Sequence, residues 1–240
     1  MMRLGLALIL LGLAFPVSAQ EISISLGEGG SLADRSILLI TLITVLSLAP
    51  GLAIMITCFP FIVTVLSILR QAIGLQQSPP NMLIVSLALF LTWFIMEPVF
   101  TQAWSVGVDP LIAGTIDLQT AFLRGIEPFR GFMANRVESD TFTALVALRP
   151  PPTPTGSVAE APLSILVPSF MLSEISRAFQ IGFLVFLPFL IIDLVVSAVL
   201  MSMGMMMVPP AIVALPFKLA FFVVADGWTL VSSALVRSYF

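Results

Sequence analysis

The chain has 240 residues, of which 59% are hydrophobic and only 10% charged, with a mean hydropathy of +1.12 and a formal net charge of -3. Soluble domains carry roughly a quarter of charged residues, so most of this chain has to be solvated by lipid or by partner protein. Its ten basic residues are scattered singly, which argues against a nucleic-acid footprint or a polybasic cluster.

The first nineteen residues read as a cleavable signal peptide (1–19): Arg3 supplies the positive start, Leu4 to Phe15 the apolar middle, and Val17-Ser18-Ala19 the small-residue cleavage pattern. An uncleaved anchor is the alternative, disfavoured by the short apolar stretch and by Pro16. Cleavage after Ala19 would start the mature chain outside the cytoplasm, with a short polar segment (20–35).

Residues 36–104 form a first apolar hairpin. The run Ser36 to Leu69 is too long for one upright span and is interrupted by Pro50-Gly51 and Pro60, so it is expected to be a kinked or discontinuous helix. Gln76-Gln77-Ser78-Pro79-Pro80-Asn81 reads as a tight polar turn, and a second span runs from Met82 to about Trp104, dented at Glu97-Pro98.

Residues 105–162 are the one long polar region, with ten charged residues from Asp109 to Glu160. Leu118, Phe122, Leu123 and Ile126 recur at helical spacing before Pro128. Arg149 to Ser157, rich in proline, reads as an extended linker. Two spans after an outside start put this region outside again, in the periplasm; its four arginines argue weakly for the opposite side.

A second apolar hairpin (163–240) carries Pro168 and Pro188 in its first arm, turns at Pro209-Pro210 and returns from Ala211 to about Val236. Two hairpins turning at double prolines suggest an internal repeat of the kind seen in transporters, or a coincidence of layout. Within this half Glu174, Arg177, Asp193, Lys218 and Asp226 lie in apolar surroundings. A charge at a bilayer centre costs roughly 2.5 to 3.5 kcal/mol or more, so all five are expected to face protein. Glu174 and Arg177 can pair three apart on one helix. Lys218 and Asp226 are expected on one helix face, and Glu174 is expected to meet Lys218 of a neighbouring subunit. An ion relay is the other reading.

The chain lacks histidine altogether and shows no Gly-x-x-x-x-Gly-Lys phosphate loop, which removes imidazole-based catalysis, most zinc sites and one route to nucleotide hydrolysis. No enzymatic role, cofactor or metal is expected; a Glu174–Asp193 carboxylate dyad is the remote exception. Cys58, the single cysteine, reads as a small core residue.

The string from Leu166 to Phe183, the continuation Leu187-Pro188-Phe189-Leu190-Ile191-Ile192-Asp193, and Met203-Gly204-Met205-Met206-Met207-Val208-Pro209-Pro210 resemble the FliP family of type III secretion proteins. Leu215-Pro216-Phe217-Lys218 and Asp226-Gly227-Trp228 extend the likeness, as do Arg70-Gln71-Ala72, the turn 76–81 and Leu87 to Leu91. Ser169 and Ser176 depart from the family's usual choices without affecting any functional expectation.

The resemblance implies an all-α fold of integral membrane helical hairpins assembling into a multi-subunit helical export gate in the flagellar basal body of the bacterial inner membrane. Several copies would join FliQ and FliR, with FlhA and FlhB beside them, and pass unfolded flagellar proteins; in that family the hairpins settle largely above the membrane plane. Met205, Met206 and Met207 would form the pore gasket, core packing being the plainer reading. An injectisome homologue and an ion-coupled secondary transporter remain alternatives. For the topology, a cysteine introduced at Gly156 should react in intact cells with a thiol reagent that cannot cross the inner membrane; labelling only after lysis would reverse the orientation.

Overall fold

The computed structural model describes residues 32–75, 79–150, 157–205 and 207–240. The signal-peptide reading, most of the polar segment 20–35 and most of the Pro-rich linker therefore lie outside the described residues. All regular structure in the described residues is helical.

The first helix, α1 (Leu32–Met55), passes through Pro50-Gly51 without a break. Its hydroxyls bond back to carbonyls one turn earlier, Thr41 to Ile37 and Thr44 to Ile40, which hides polar groups on an apolar helix. The break expected at Pro50-Gly51 falls instead at Ile56-Thr57-Cys58. Pro60 sits in the opening turn of α2 (Phe59–Ile73), where its missing N–H costs nothing.

α2 ends at Gly74 in the left-handed conformation, φ 89°, and Arg70 donates to the Asn81 side chain at the start of α3 (Asn81–Ala103). That bond closes the first hairpin. α3 continues beyond the expected limit near Trp104 through a π-turn, Trp104–Val108, into α4 (Asp109–Ile112), giving 32 continuous residues. The extension is explained by packing: a Cβ on Gly107 would lie 2.9 Å from the Ala121 carbonyl oxygen and 3.1 Å from Gly125 Cα. The widened turn carries Gly107 against α5 (Leu118–Ala134).

α5 continues through Pro128, and α6 (Ser139–Ala147) follows it. The polar region is not a detached domain. Arg130 donates to the carbonyls of Ala161 (2.6 Å) and Ala159 (3.3 Å), and Met133 is fully buried against Leu166 and Phe170. These contacts fasten the region to the start of α7 (Leu163–Ser202), a single helix of 40 residues.

Pro168 and Pro188 both lie inside α7. Pro168 leaves the Ser164 carbonyl without its helical donor, and Arg149 supplies one at 3.4 Å. The second arm, expected as one span, is two helices, α8 (Pro210–Val224) and α9 (Gly227–Arg237), bent by 61°.

The core is centred on α2, which packs along α7 and against α3. Gly182 marks the closest approach of α7, since a Cβ there would meet Ile68 Cδ1 at 2.4 Å and Cγ2 at 3.2 Å. Gly182→Val should therefore overpack the contact and lower stability by about 1–3 kcal/mol. Combining it with Ile68→Ala should restore part of the thermal stability of the detergent-purified protein; no loss in the single variant would show that the helices separate freely.

Candidate functional site

Three features bring together the residues singled out in the sequence: a methionine-rich turn at one end of the second hairpin, an ion pair midway along it, and a buried carboxylate cluster near the opposite end.

α7 is stopped by a Schellman arrangement. Gly204 takes φ 74° and donates to the Met201 carbonyl at 3.1 Å, while the Met205 N–H reaches the Leu200 carbonyl at 3.0 Å. Glycine is needed because a side chain strains the left-handed backbone. Pro209 and Pro210 then start α8. Met205 and Met207 thus stand in a non-helical link, as expected, with Met207 98% exposed and Met205 40%; Met206 lies outside the described residues. Beside the link, Val199, Met203, Met205 and Phe217 border a wholly apolar cavity of about 620 Å³.

Lys218, 6% exposed, donates to Asp193 Oδ2 at 2.6 Å and to the Ala72 carbonyl at 3.1 Å. The carbonyl is at the C-terminal end of α2, where helices favour a cation. One ammonium therefore joins α8, α7 and α2. The other oxygen of Asp193 is buried without a partner among the described residues.

Glu174 is completely buried. Its Oε1 accepts from Arg136 at 3.0 Å and from Arg177 at 3.4 Å, and its Oε2 accepts from the Tyr239 hydroxyl. Arg136 also lies over the Tyr239 ring, 4.0 Å from its centroid, and donates to the Ser238 carbonyl at 2.8 Å. Burial, then the charge of Glu174, push the Tyr239 phenol upward from its ordinary pKa, so it stays protonated and donates. Phe132 stacks on Tyr239 and Phe61 meets it edge-on.

Glu174 and Arg177 pair locally as their spacing suggests, but Lys218 finds Asp193 within the chain and Glu174 finds Arg136. The expected shared face for Lys218 and Asp226 is absent, because α8 ends at Val224 and Asp226 occupies the bend at φ 47°, ψ 50°. The bend is fixed by Gly227, whose missing side chain makes room for the Phe222 ring; a Cβ would lie 2.1 Å from it. Asp226 is exposed. Glu174 and Asp193, nineteen residues apart on α7, are separated by roughly 28 Å of helix axis, too far for a carboxylate dyad. Sequence reasoning missed Arg136 and Tyr239; Tyr239 is the only tyrosine in the chain, but nothing local links either residue to Glu174.

The ion pair makes a direct prediction. Lys218→Met strands Asp193 and should destabilise the protein by roughly 3 kcal/mol, whereas Lys218→Met with Asp193→Leu should recover most of that loss. Unfolding of the purified variants measures both, and equal losses in the single and double variants would show that the pair is not coupled.

The profile of the FliP family matches residues 42–235. The flagellar biosynthetic protein FliP of Caulobacter vibrioides is 50% identical over 226 residues, covering 94% of this chain and 85% of that protein. Its counterpart from Bacillus subtilis is 44% identical over 206 residues, 86% of this chain and 93% of that protein. The FliP of Aquifex aeolicus is 43% identical over 240 residues, 99% of this chain and 100% of that protein. With a family match over most of its length and relatives this similar from end to end, the chain belongs to the FliP family, a family of flagellar export-apparatus proteins.

Proposed function

We propose that the chain is a pore-forming subunit of the flagellar type III export gate, passing unfolded flagellar proteins across the inner membrane. The observation that carries this reading is α7. At 40 residues it is about 60 Å long, twice the roughly 30 Å hydrocarbon core, yet only 11% of its most apolar stretch is buried by the chain itself. A helix of this kind needs other copies or other subunits along much of its length. FliQ, FliR, FlhA and FlhB are the partners this reading assigns, in the basal body, with 105–162 on the periplasmic side.

The five charges divide in that assembly. Glu174 and Lys218 are committed inside the chain, while Arg177, Asp193 and Asp226 keep exposed surface and are assigned to subunit boundaries. Pairing of Asp193 with Lys218 also weakens the ion-relay alternative, because a relay needs a carboxylate free to exchange protons. The injectisome reading is disfavoured by the flagellar relatives.

Met205, Met206 and Met207 are assigned to the seal. Their unbranched side chains, repeated around a ring, can close a passage to water and bend aside for varied cargo. The backbone needs no methionine here, because the Schellman arrangement is made by Gly204 and main-chain groups. Replacing all three by alanine should leave assembly intact while cells carrying the complex leak ions and small solutes. An assembled triple variant with wild-type conductance and unchanged export would reduce the cluster to packing.

A further inference from the structure

The sulfur atoms of the described residues fall into two environments. Cys58, Met96 and Met133 have no exposed surface, whereas Met201, Met203, Met205 and Met207, gathered at the end of α7 and in the link after it, are 60%, 64%, 40% and 98% exposed. Met55 and Met82 are exposed as well, each standing singly. With the one thiol buried, the sulfur that a dissolved oxidant can reach is thioether sulfur, and its greatest concentration is this link. Oxidation turns a flexible apolar methionine into a polar sulfoxide.

Two features of the link decide what that change would do. Its backbone is set by Gly204 and by main-chain bonds, Gly204 N–H to the Met201 carbonyl and Met205 N–H to the Leu200 carbonyl, so the helices on either side do not depend on the methionine side chains. The cavity of about 620 Å³ that Met203 and Met205 share with Val199 and Phe217 is wholly apolar. A sulfoxide oxygen is a strong acceptor, and that lining offers it no donor. Burying an unpaired acceptor is costly, so an oxidised Met203 or Met205 is driven out of the cavity toward water, while Met207 already stands in the open.

We propose that the methionine link is a reversible oxidation site for hydroperoxides, and that the sulfoxides of Met203, Met205 and Met207 open the seal. The thioether sulfur attacks one peroxide oxygen; the S–O bond forms as the O–O bond breaks, the sulfur gives up two electrons, and the other oxygen leaves as water after taking a proton. Methionine sulfoxide reductases, one for each epimer, return the thioether at the expense of two thiols. The effect on the seal rests on the seal reading given above; the site of oxidation does not.

The test uses the complex purified from cells, reconstituted in vesicles of saturated phosphatidylcholine and treated with hydrogen peroxide, with sulfoxides mapped by mass spectrometry and ion efflux followed in parallel. Met207 should be oxidised first, Met203 and Met205 next, and Met96 and Met133 several-fold more slowly. Efflux should rise several-fold with the sulfoxides and fall again after treatment with both reductases. The fivefold variant Met201→Leu, Met203→Leu, Met205→Leu, Met206→Leu, Met207→Leu keeps apolar side chains of similar volume that cannot be oxidised, and peroxide should cause no rise in it. A rise that persists there would place the effect on other sulfurs and overturn the proposal. Oxidation of Met207 no faster than that of Met96 would overturn it too. So would complete oxidation of the link without efflux; the alanine variant described above then separates the two ideas, since a leak there keeps the seal reading and a tight complex removes both. Should the leucine variant fail to assemble, the order of oxidation and the reversal by the reductases in the native complex still decide the question.

Discussion

A carboxylate with no exposed surface has to be met by donors from its own neighbourhood, and Glu174 gathers them from three parts of the chain. Arg177 comes from the same helix, Arg136 from the end of the polar region, and Tyr239 from the C-terminus. The cost of leaving such a group unpaired is several kcal/mol, larger than the stability margin of most single contacts. The polar region is therefore drawn onto the apolar hairpin. Arg136 reaches Glu174 only because Met133 and Phe132, one turn earlier, are packed against Phe170 and the core. The terminal residues close over the cluster, with Tyr239 between two phenylalanines and under a guanidinium. Removal of any donor would loosen the fastening of the polar region to α7.

The second polar tier, Lys218 with Asp193, lies roughly 28 Å along α7 from the first, about one hydrocarbon thickness. Between the tiers α7 exposes Phe179, Phe183, Leu184 and Leu190, while its other face closes on α2 at Gly182. Polar anchoring at two levels with an apolar band between them lets one long helix keep a fixed height against its neighbours. Past the lower tier, α7 runs on to Gly204, which holds the methionine link clear of both anchors.

Much of this architecture is legible in the sequence, because apolar runs and polar gaps report helices and turns directly. What local pattern did not report was the place of the break in the first arm, expected at Pro50-Gly51, and the pairing of distant charges. Pro50, Pro98, Pro128, Pro168 and Pro188 all sit inside helices, since a proline removes one bond and the surrounding helix and neighbouring donors hold the rest. The breaks inside the two apolar arms, at Ile56–Cys58 and at Ala225–Asp226, contain no proline, whereas the hairpin turns do. One of these breaks is set by Gly227 packing under the ring of Phe222, five residues earlier, a contact that helical periodicity does not report. Likewise Arg136 is 38 residues from Glu174 and Asp193 is 25 from Lys218. The charges were visible as embedded, but their partners depend on how helices cross. The methionine link was readable because a short stretch of methionines next to a glycine and a double proline cannot continue a helix on one face.

Neutralising the deepest charges within each chain has a consequence for how chains meet. If Glu174 or Lys218 relied on a neighbour, the free subunit would carry an uncompensated buried charge and could not fold before assembling. Paired as they are, Glu174 and Lys218 are neutralised inside the chain, while the apolar face of α7 stays uncovered by the chain itself. Association in an apolar medium then draws on close packing more than on expulsion of water, which favours surfaces that fit over surfaces that merely attract. In the proposed assembly the exposed phenylalanines and leucines along α7 would provide contact area, and the exposed methionines at its end side chains that adapt to the shape opposite. Rigid contacts along the helix and compliant ones at its tip follow from the same chain, because Gly204 and the double proline confine the change from helix to link to a few residues.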